Sequence, residues 1–195
     1  MEVIMGQKAI TIYTPDGTAA HIAAEDDAFI HRSILGSVSG ILGSLSCVRV
    51  DDNTVRLSGG GVSNRGYILY VPVGETAELS IDSGTAGYNR IDTVAAVFTK
   101  GGGNVADTHV FSIIKGTPVT GTPAAPSLTS SNLTSAGNVN QLALFYVRIT
   151  GMAITSISRA AAMLPSGSAL PGIYVQQAQP TSPATGDLWL WEFCG

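Results

Sequence analysis

The feature that most restricts the fold of this chain is a series of short apolar runs with a period of two, separated by glycine-rich turns. The clearest run is TAELSID, in which Ala77, Leu79 and Ile81 alternate with polar residues without interruption. Roughly eight such runs follow one another from residue 47 onwards, with no helical segment between them. Parallel strands need long crossovers, so a βαβ fold is excluded. The sequence predicts an all-β fold, an antiparallel β-sandwich or jelly roll.

Turn residues predict where individual strands pair or end. The stretch DDNT at 51–54 predicts a hairpin with Arg49 and Arg56 on its outer face. The residues expected to point inward are Val48, Val50, Val55 and Leu57. Pro72 predicts the end of the strand RGYILYVPVG. The stretch GGGVSNRG at 59–66 lacks the Lys-Ser/Thr ending of a phosphate loop and therefore predicts a loop at a sheet corner.

The ends of the chain differ from its centre. Acidic residues at 25–27 predict the start of a helix at about 25–35, in which Phe29, Ile34 and Leu35, with Ile30, form an apolar face. We therefore divide the chain into an N-terminal docking segment (1–46), a β-sandwich domain (47–163) and a C-terminal linker with a terminal strand (164–195).

The terminal strand, LWLWEF, is apolar on both of its faces. Trp189 and Trp191 share one face of this strand because side chains two residues apart point the same way. A strand of this kind needs to be covered, by its own domain or by a neighbour. The two tryptophans, together with Phe29, Ile34 and Leu35, are thus candidate interface residues.

The composition favours a protein that assembles. Only 12% of residues are charged while 45% are apolar, so few charges keep the surface solvated. Burial of this surface against copies of the chain or against partners is the simplest remedy. The formal net charge of −4 without a basic stripe argues against a nucleic-acid partner. No apolar run reaches the roughly 18 residues of a membrane span, and the N-terminus lacks the layout of a signal peptide.

Residues that could hold a metal or cofactor are scarce. The histidines are His21, His31 and His109, and their spacing provides too few ligands for a closed metal site. Cys47 and Cys194 lie far apart without metal-binding spacing and are interpreted as unpaired thiols. We predict no cofactor and no metal.

Catalytic patterns are equally weak, and we predict that the chain is not an enzyme. Ser112 and Lys115 match S-x-x-K, but that chemistry needs both residues on one helical turn, whereas this segment is a predicted strand. A hydrolase would need two facing carboxylates, and nothing in the sequence brings together Asp82, Asp92 and Asp107.

The pair Arg90 and Asp92 is the most distinctive polar feature. Residues two apart share a face of a strand, so the guanidinium and the carboxylate are expected to meet where the strand begins. Ile91, on the opposite face, is expected to fix the strand in the core together with Val94 and Val97. We interpret the pair as a structural clamp, with contact between subunits as the alternative.

Five stretches resemble a group of structural proteins of tailed bacteriophages and prophages. They are EDDAFIHRSILG, NTVRLSGG with NRGYILYVPVG, LSIDSGTAGYNRIDTVAAVFTK, FSIIKGTPVTGTPAAPSL and LALFYVRITGMAITSISR, within residues 20–163. The pattern Gly-x-x-Arg-x-Asp-x-Val stands here at 87–94. The strand that follows, VAAVFTK, is more apolar than the family pattern, as expected of a face that is more buried or covered by a partner.

The resemblance implies a virion part located in the tail tip, the baseplate or an attached fibre, often trimeric. Capsid decoration or head-fibre proteins are the alternative that it leaves open. Expected partners are copies of the chain itself and other virion proteins. A host-surface glycan is a further possible partner, because β-sandwiches bind sugars through exposed aromatic residues, here Tyr67, Tyr70, Tyr88 or Trp189.

Overall fold

The computed structural model describes residues 23–35, 39–102, 104–133, 135–164, 173–176, 181 and 188–191. The chain forms two compact units, Met1–Leu164 and Pro165–Gly195. In the first unit the described elements are helix α1 (Ala24–Leu35) and strands β1 (Gly40–Leu42), β2 (Ser46–Arg49), β3 (Thr54–Asn64), β4 (Tyr67–Ser80), β5 (Asn89–Thr99), β6 (Thr108–Ile114), β7 (Val139–Thr150) and β8 (Ala153–Arg159). The second unit contains β9 (Ile173–Gln176) and β10 (Leu188–Trp191).

The described strands of the first unit form two antiparallel sheets. In the first sheet β3 pairs with β1 and β2 on one side and with β4 on the other, and the second sheet has the order β6-β5-β7-β8. Contacts between β4 and β6, and between β2 and β8, place the sheets face to face. The predicted all-β sandwich with one short helix is confirmed. Each sheet uses strands that are contiguous in the sequence, and this order does not confirm the jelly-roll alternative.

The core lies between the two sheets. Its fully buried side chains come from both sheets and include Ile41, Val55, Leu57, Val62, Val94, Leu144, Val147 and Ile149. Burial of each such side chain contributes about 1.5–3 kcal/mol. Because Ile41 belongs to β1, a strand within the stretch 1–46 contributes to this core.

Strand β4 is longer than the sequence predicts, because it continues through Pro72 to Ser80. Val71 pairs with Gly60 and Thr76 with Ser58, so Pro72 falls in a bulge that has no partner on β3. Proline lacks an N–H donor, and a bulge on a strand paired on only one side needs none there. The predicted inward alternation of the residues that follow is confirmed, with Ile81 buried.

The hairpin of β2 and β3 forms as predicted, but the inward and outward faces of β2 are exchanged. Cys47 lies opposite the buried Leu57, and Val48 lies opposite Arg56. Val48 and Val50 are both about half exposed, and the expectation that they point inward was wrong. Arg49 faces the same way as Cys47 and donates to the carbonyl of Ile154 on β8 at 3.0 Å. This polar contact at the sandwich edge accommodates a charged residue on the inner face.

Residues 59–66, expected to form a corner loop, lie mostly within β3. Asn64 pairs with Tyr67, so the turn between β3 and β4 consists of Arg65 and Gly66 alone. Their φ angles are 53° and 86°, which are the two positive values that a tight hairpin turn of this kind requires. Arginine is an unusual residue at the first of these positions, which favours Asn, Asp or Gly.

Strands β9 and β10 of the second unit pair in parallel. Trp189 lies opposite Tyr174, and Trp191 lies opposite Gln176. The predicted terminal strand is thus present as β10. Its pairing with β9 was not predicted from the sequence.

Candidate functional site

The Arg90–Asp92 pair lies near the start of β5, on the face that points towards the first sheet. Arg90 and Asp92 are almost fully buried, and they share this face with the core residues Val94 and Ala96. The expectation that Ile91 faces the core on the opposite side was wrong, since Ile91 is half-buried on the outer face. The clamp therefore lies between the sheets and not on the outside of one sheet.

The guanidinium of Arg90 contacts oxygen atoms of three residues. Its Nε lies 3.0 Å from Oδ1 and 3.2 Å from Oδ2 of Asp92. Its Nη1 donates to the carbonyl of Ser83 at 3.0 Å, and its Nη2 donates to the carbonyl of Asp82. The backbone N–H of Gly116 donates to Asp92 at 2.9 Å. We call this set the ion-pair tie, because it joins β5 to the segments that follow β4 and β6.

A second polar contact joins the sheets at the other end of β5. The Asn64 amide lies 3.3 Å from the carbonyl of Ala96 and 3.2 Å from the carbonyl of Asn140. The Asn140 side chain donates back to Oδ1 of Asn64 at 2.5 Å. We call this set the amide tie. Sequence reasoning missed it, and no local signal links two asparagines on different sheets.

Helix α1 contacts the sandwich through its small and polar residues. His31 Nδ1 lies 2.9 Å from the carbonyl of Gly66, and Arg32 donates to the carbonyl of Arg65 at 3.1 Å. Glu25 forms an ion pair with Lys100. This hydrogen bond lowers the pKa of Glu25. The side of the helix that faces the sheets is therefore not its apolar side.

The apolar residues of α1 point away from the sandwich. Phe29 is 58% exposed and Ile34 is 64% exposed, with Ile30 between them also at the surface. Leu35, the other predicted interface residue on this helix, is half-buried. We call the surface of Phe29, Ile30 and Ile34 the outer helix face.

A cleft of about 260 Å³ separates α1 from the ends of β4, β5 and β6. His109 lines this cleft, and its ring packs edge-on against Phe98 with a centroid distance of 5.4 Å. Its Nε2 is buried without a hydrogen-bond partner among the described residues. Burial lowers the pKa of His109 to about 4.

The carboxylates considered for catalysis are held in separate ion pairs, and of Asp82 only the backbone carbonyl contacts Arg90. Asp82 pairs with Lys115 at 2.7 Å, and Asp107 pairs with Lys100 at 3.1 Å. Asp92 belongs to the ion-pair tie. Ser112 lies on strand β6 opposite Ala95, as expected for a strand.

The remaining predicted residues fall in different parts of the chain. Burial raises the pKa of the Cys47 thiol to about 12. His21 and Cys194 lie outside the described residues, as do the side chains of Trp189 and Trp191 on β10. Of the candidate aromatic residues, Tyr70 is 64% exposed and Tyr88 is 43% exposed, whereas Tyr67 packs on Phe98.

Comparison with known proteins supplies no relative. No family model matches the chain, and no curated protein or solved structure matches it significantly. Within the described residues, no helix has the length and apolar character needed to cross a membrane. The same residues contain no cluster of three or more histidine, cysteine or acidic side chains placed to hold a metal ion.

Proposed function

We propose that this chain is a structural subunit of a bacteriophage virion, in the tail, the baseplate or a tail appendage, and that it assembles with copies of itself. The observation on which the assembly proposal rests is the outer helix face, where α1 turns its polar side to the sandwich and its apolar side to solvent. In a solitary chain this arrangement leaves Phe29 and Ile34 in water, at a cost of roughly 1 kcal/mol or more for each. A symmetric neighbour removes that cost.

A second feature supports assembly by strand pairing. Strand β4 has fourteen residues and, within the described part of the chain, pairs along only one edge, with β3. An exposed edge offers unpaired N–H and C=O groups to a strand of another chain. Val73, at the centre of β4, is 97% exposed. The proposed mechanism is thus burial and strand pairing without bond chemistry, and a three-fold arrangement is our preferred symmetry.

The virion location is supported by the motif resemblance at residues 87–94 and its neighbouring stretches. Capsid decoration or a head fibre remains the alternative location for the same assembly. The two locations share the chemistry of the outer helix face and differ in the neighbours that the subunit contacts.

Electron microscopy of purified particles tests this proposal. Antibodies against the chain, with gold labels, are applied to particles produced from the genome that encodes it. We expect labels at the tail tip or baseplate. Labels over the head would select the capsid alternative, and intact particles whose mass spectrum lacks the chain would contradict the virion proposal.

A further inference from the structure

A second cleft shares Tyr67 with the cleft at His109 but is otherwise lined by different residues. Its volume is about 320 Å³, at the lower end of the range for small-molecule sites. It lies between α1, the β3–β4 turn and the connection before β7. Its lining residues are Glu25, Arg32, Arg65, Tyr67, Asn132 and Leu133.

Arg65 reaches this cleft from a strained backbone position. Its φ of 53° is the only positive value among the described non-glycine residues. A left-handed conformation costs arginine about 1 kcal/mol relative to glycine. The surrounding structure holds it there, since the Arg65 N–H donates to Ser39 Oγ at 2.9 Å and its carbonyl accepts from Arg32. The tight turn requires this φ, and an arginine at a position that suits Asn, Asp or Gly is consistent with a functional role for its side chain.

The charge of the cleft favours an anion. Arg32 and Arg65 contact only neutral oxygens among the described residues, namely a backbone carbonyl and the Ser130 hydroxyl. Among the described lining residues the one carboxylate is that of Glu25, which shares Lys100 with Asp107. Most other described cations each contact a carboxylate, and these are Arg49, Arg56, Arg90, Lys100 and Lys115.

We propose that this cleft binds a sugar that bears a carboxylate. The planar guanidinium groups of Arg65 and Arg32 match the two oxygens of a carboxylate. Tyr67 provides an aromatic surface for the rest of the ring. Among the described lining residues Leu133 is the single aliphatic one, which suits a sugar better than a lipid chain. This inference goes beyond assembly and holds whether or not the chain belongs to a virion.

The test is a titration of the full chain that is monitored by NMR or calorimetry. The four probes are N-acetylneuraminate, glucuronate, neutral glucose and inorganic phosphate. We expect one or both acidic sugars to bind, with an affinity that falls as salt rises, and glucose to bind at least about tenfold more weakly. No binding of either acidic sugar at about 10 mM would overturn the proposal. Binding of phosphate without acidic sugars would overturn the assigned ligand class.

The informative variant is Arg65→Gly, because glycine adopts the same φ without strain. We expect its affinity for the acidic sugar to fall at least about tenfold while its melting temperature stays equal or rises. Arg65→Asn, which also tolerates this φ, should behave alike. Arg148→Ala, which removes an exposed arginine of β7, is the matched control and should bind as the unmodified chain does. Unchanged affinity in Arg65→Gly would overturn the proposal.

Discussion

The two ties between the sheets lie at opposite ends of β5 and solve the same problem with different chemistry. At one end the ion-pair tie buries a charged pair, and Arg90 needs backbone carbonyls from Asp82 and Ser83 in addition to Asp92. At the other end the amide tie is neutral: Asn64 donates to the carbonyls of Ala96 and Asn140, and the Asn140 side chain donates to Oδ1 of Asn64. Loss of a partner costs a buried charge more than it costs a buried neutral amide. The ion-pair end should therefore tolerate substitution less.

The largest expected effect is that of Arg90→Met. Asp92 would remain buried without its cation, and this should lower the free energy of unfolding by about 3–5 kcal/mol in urea denaturation. The double variant Arg90→Met with Asp92→Leu removes both charges and should recover part of the loss. A single variant that costs less than about 1 kcal/mol would show that the pair is not needed to join the sheets.

Asn140→Ala should have a smaller effect. It leaves the Oδ1 of Asn64 buried without its donor, which costs about 1–3 kcal/mol in the same denaturation measurement. If this loss equals or exceeds that of Arg90→Met, the proposed difference between the two ends is wrong.

The amide end should also weaken in acid. His109, which pairs with Phe98 on β5, is held neutral, with its pKa lowered from 6.5 to about 4 by burial. His109 takes up a proton near pH 6.5 in the unfolded chain but only near pH 4 in the folded chain. The contribution of the neutral ring to the free energy of unfolding is therefore complete above pH 6.5 and is lost as the pH falls to 4.

Urea denaturation at several pH values measures this effect. With allowance for partial exposure of the ring, we expect His109 alone to lower the free energy of unfolding by an amount on the order of 1–2 kcal/mol between pH 7 and pH 4. His109→Phe keeps the ring contact and removes both the titration and the unpartnered Nε2. Its stability should exceed that of the unmodified chain increasingly towards pH 4, and parallel pH profiles would contradict the assignment.

The smallest effect is expected for Arg56→Met, which serves as the exposed counterpart of Arg90→Met. Arg56 pairs with Glu78 at 2.6 Å, but both side chains are largely in solvent. The free energy of unfolding should fall by about 0–1 kcal/mol, and this difference should become smaller at high salt. A loss as large as that of Arg90→Met would mean that burial is not what distinguishes the two pairs.

Much of the fold could be predicted because alternation identifies strands locally. The strands around Ile81 and Val94, the helix at α1 and the hairpin of β2 and β3 were foreseen from period and turn residues, whereas the tight turn between β3 and β4 was not. The inward and outward faces of β2 were not foreseen, because Cys47 and Val48 are both apolar. A register shift of one residue moves every side chain of a strand to the opposite face. The sequence predicted that β4 ends at Pro72, because a bulge that tolerates proline leaves no sequence signal.

The polar contacts were predictable only where they are local. Arg90 and Asp92 lie two residues apart, so strand geometry alone brings them together. The sequence did not predict that both side chains point into the core, because this depends on which face of β5 the other sheet covers. Asn64 and Asn140 are distant in the sequence and meet only when both sheets are assembled. The orientation of Phe29 away from the sandwich likewise depends on tertiary contacts.

The most direct test of assembly is the mass of the full chain in solution, measured by sedimentation at about 10 μM, where a stable subunit interface should be populated. We predict an oligomer, with a trimer as the expected species. Ile34→Asp, which places a charge on the outer helix face, should convert it to a monomer without loss of strand content by circular dichroism. A folded monomer of the unmodified chain at this concentration would contradict the account.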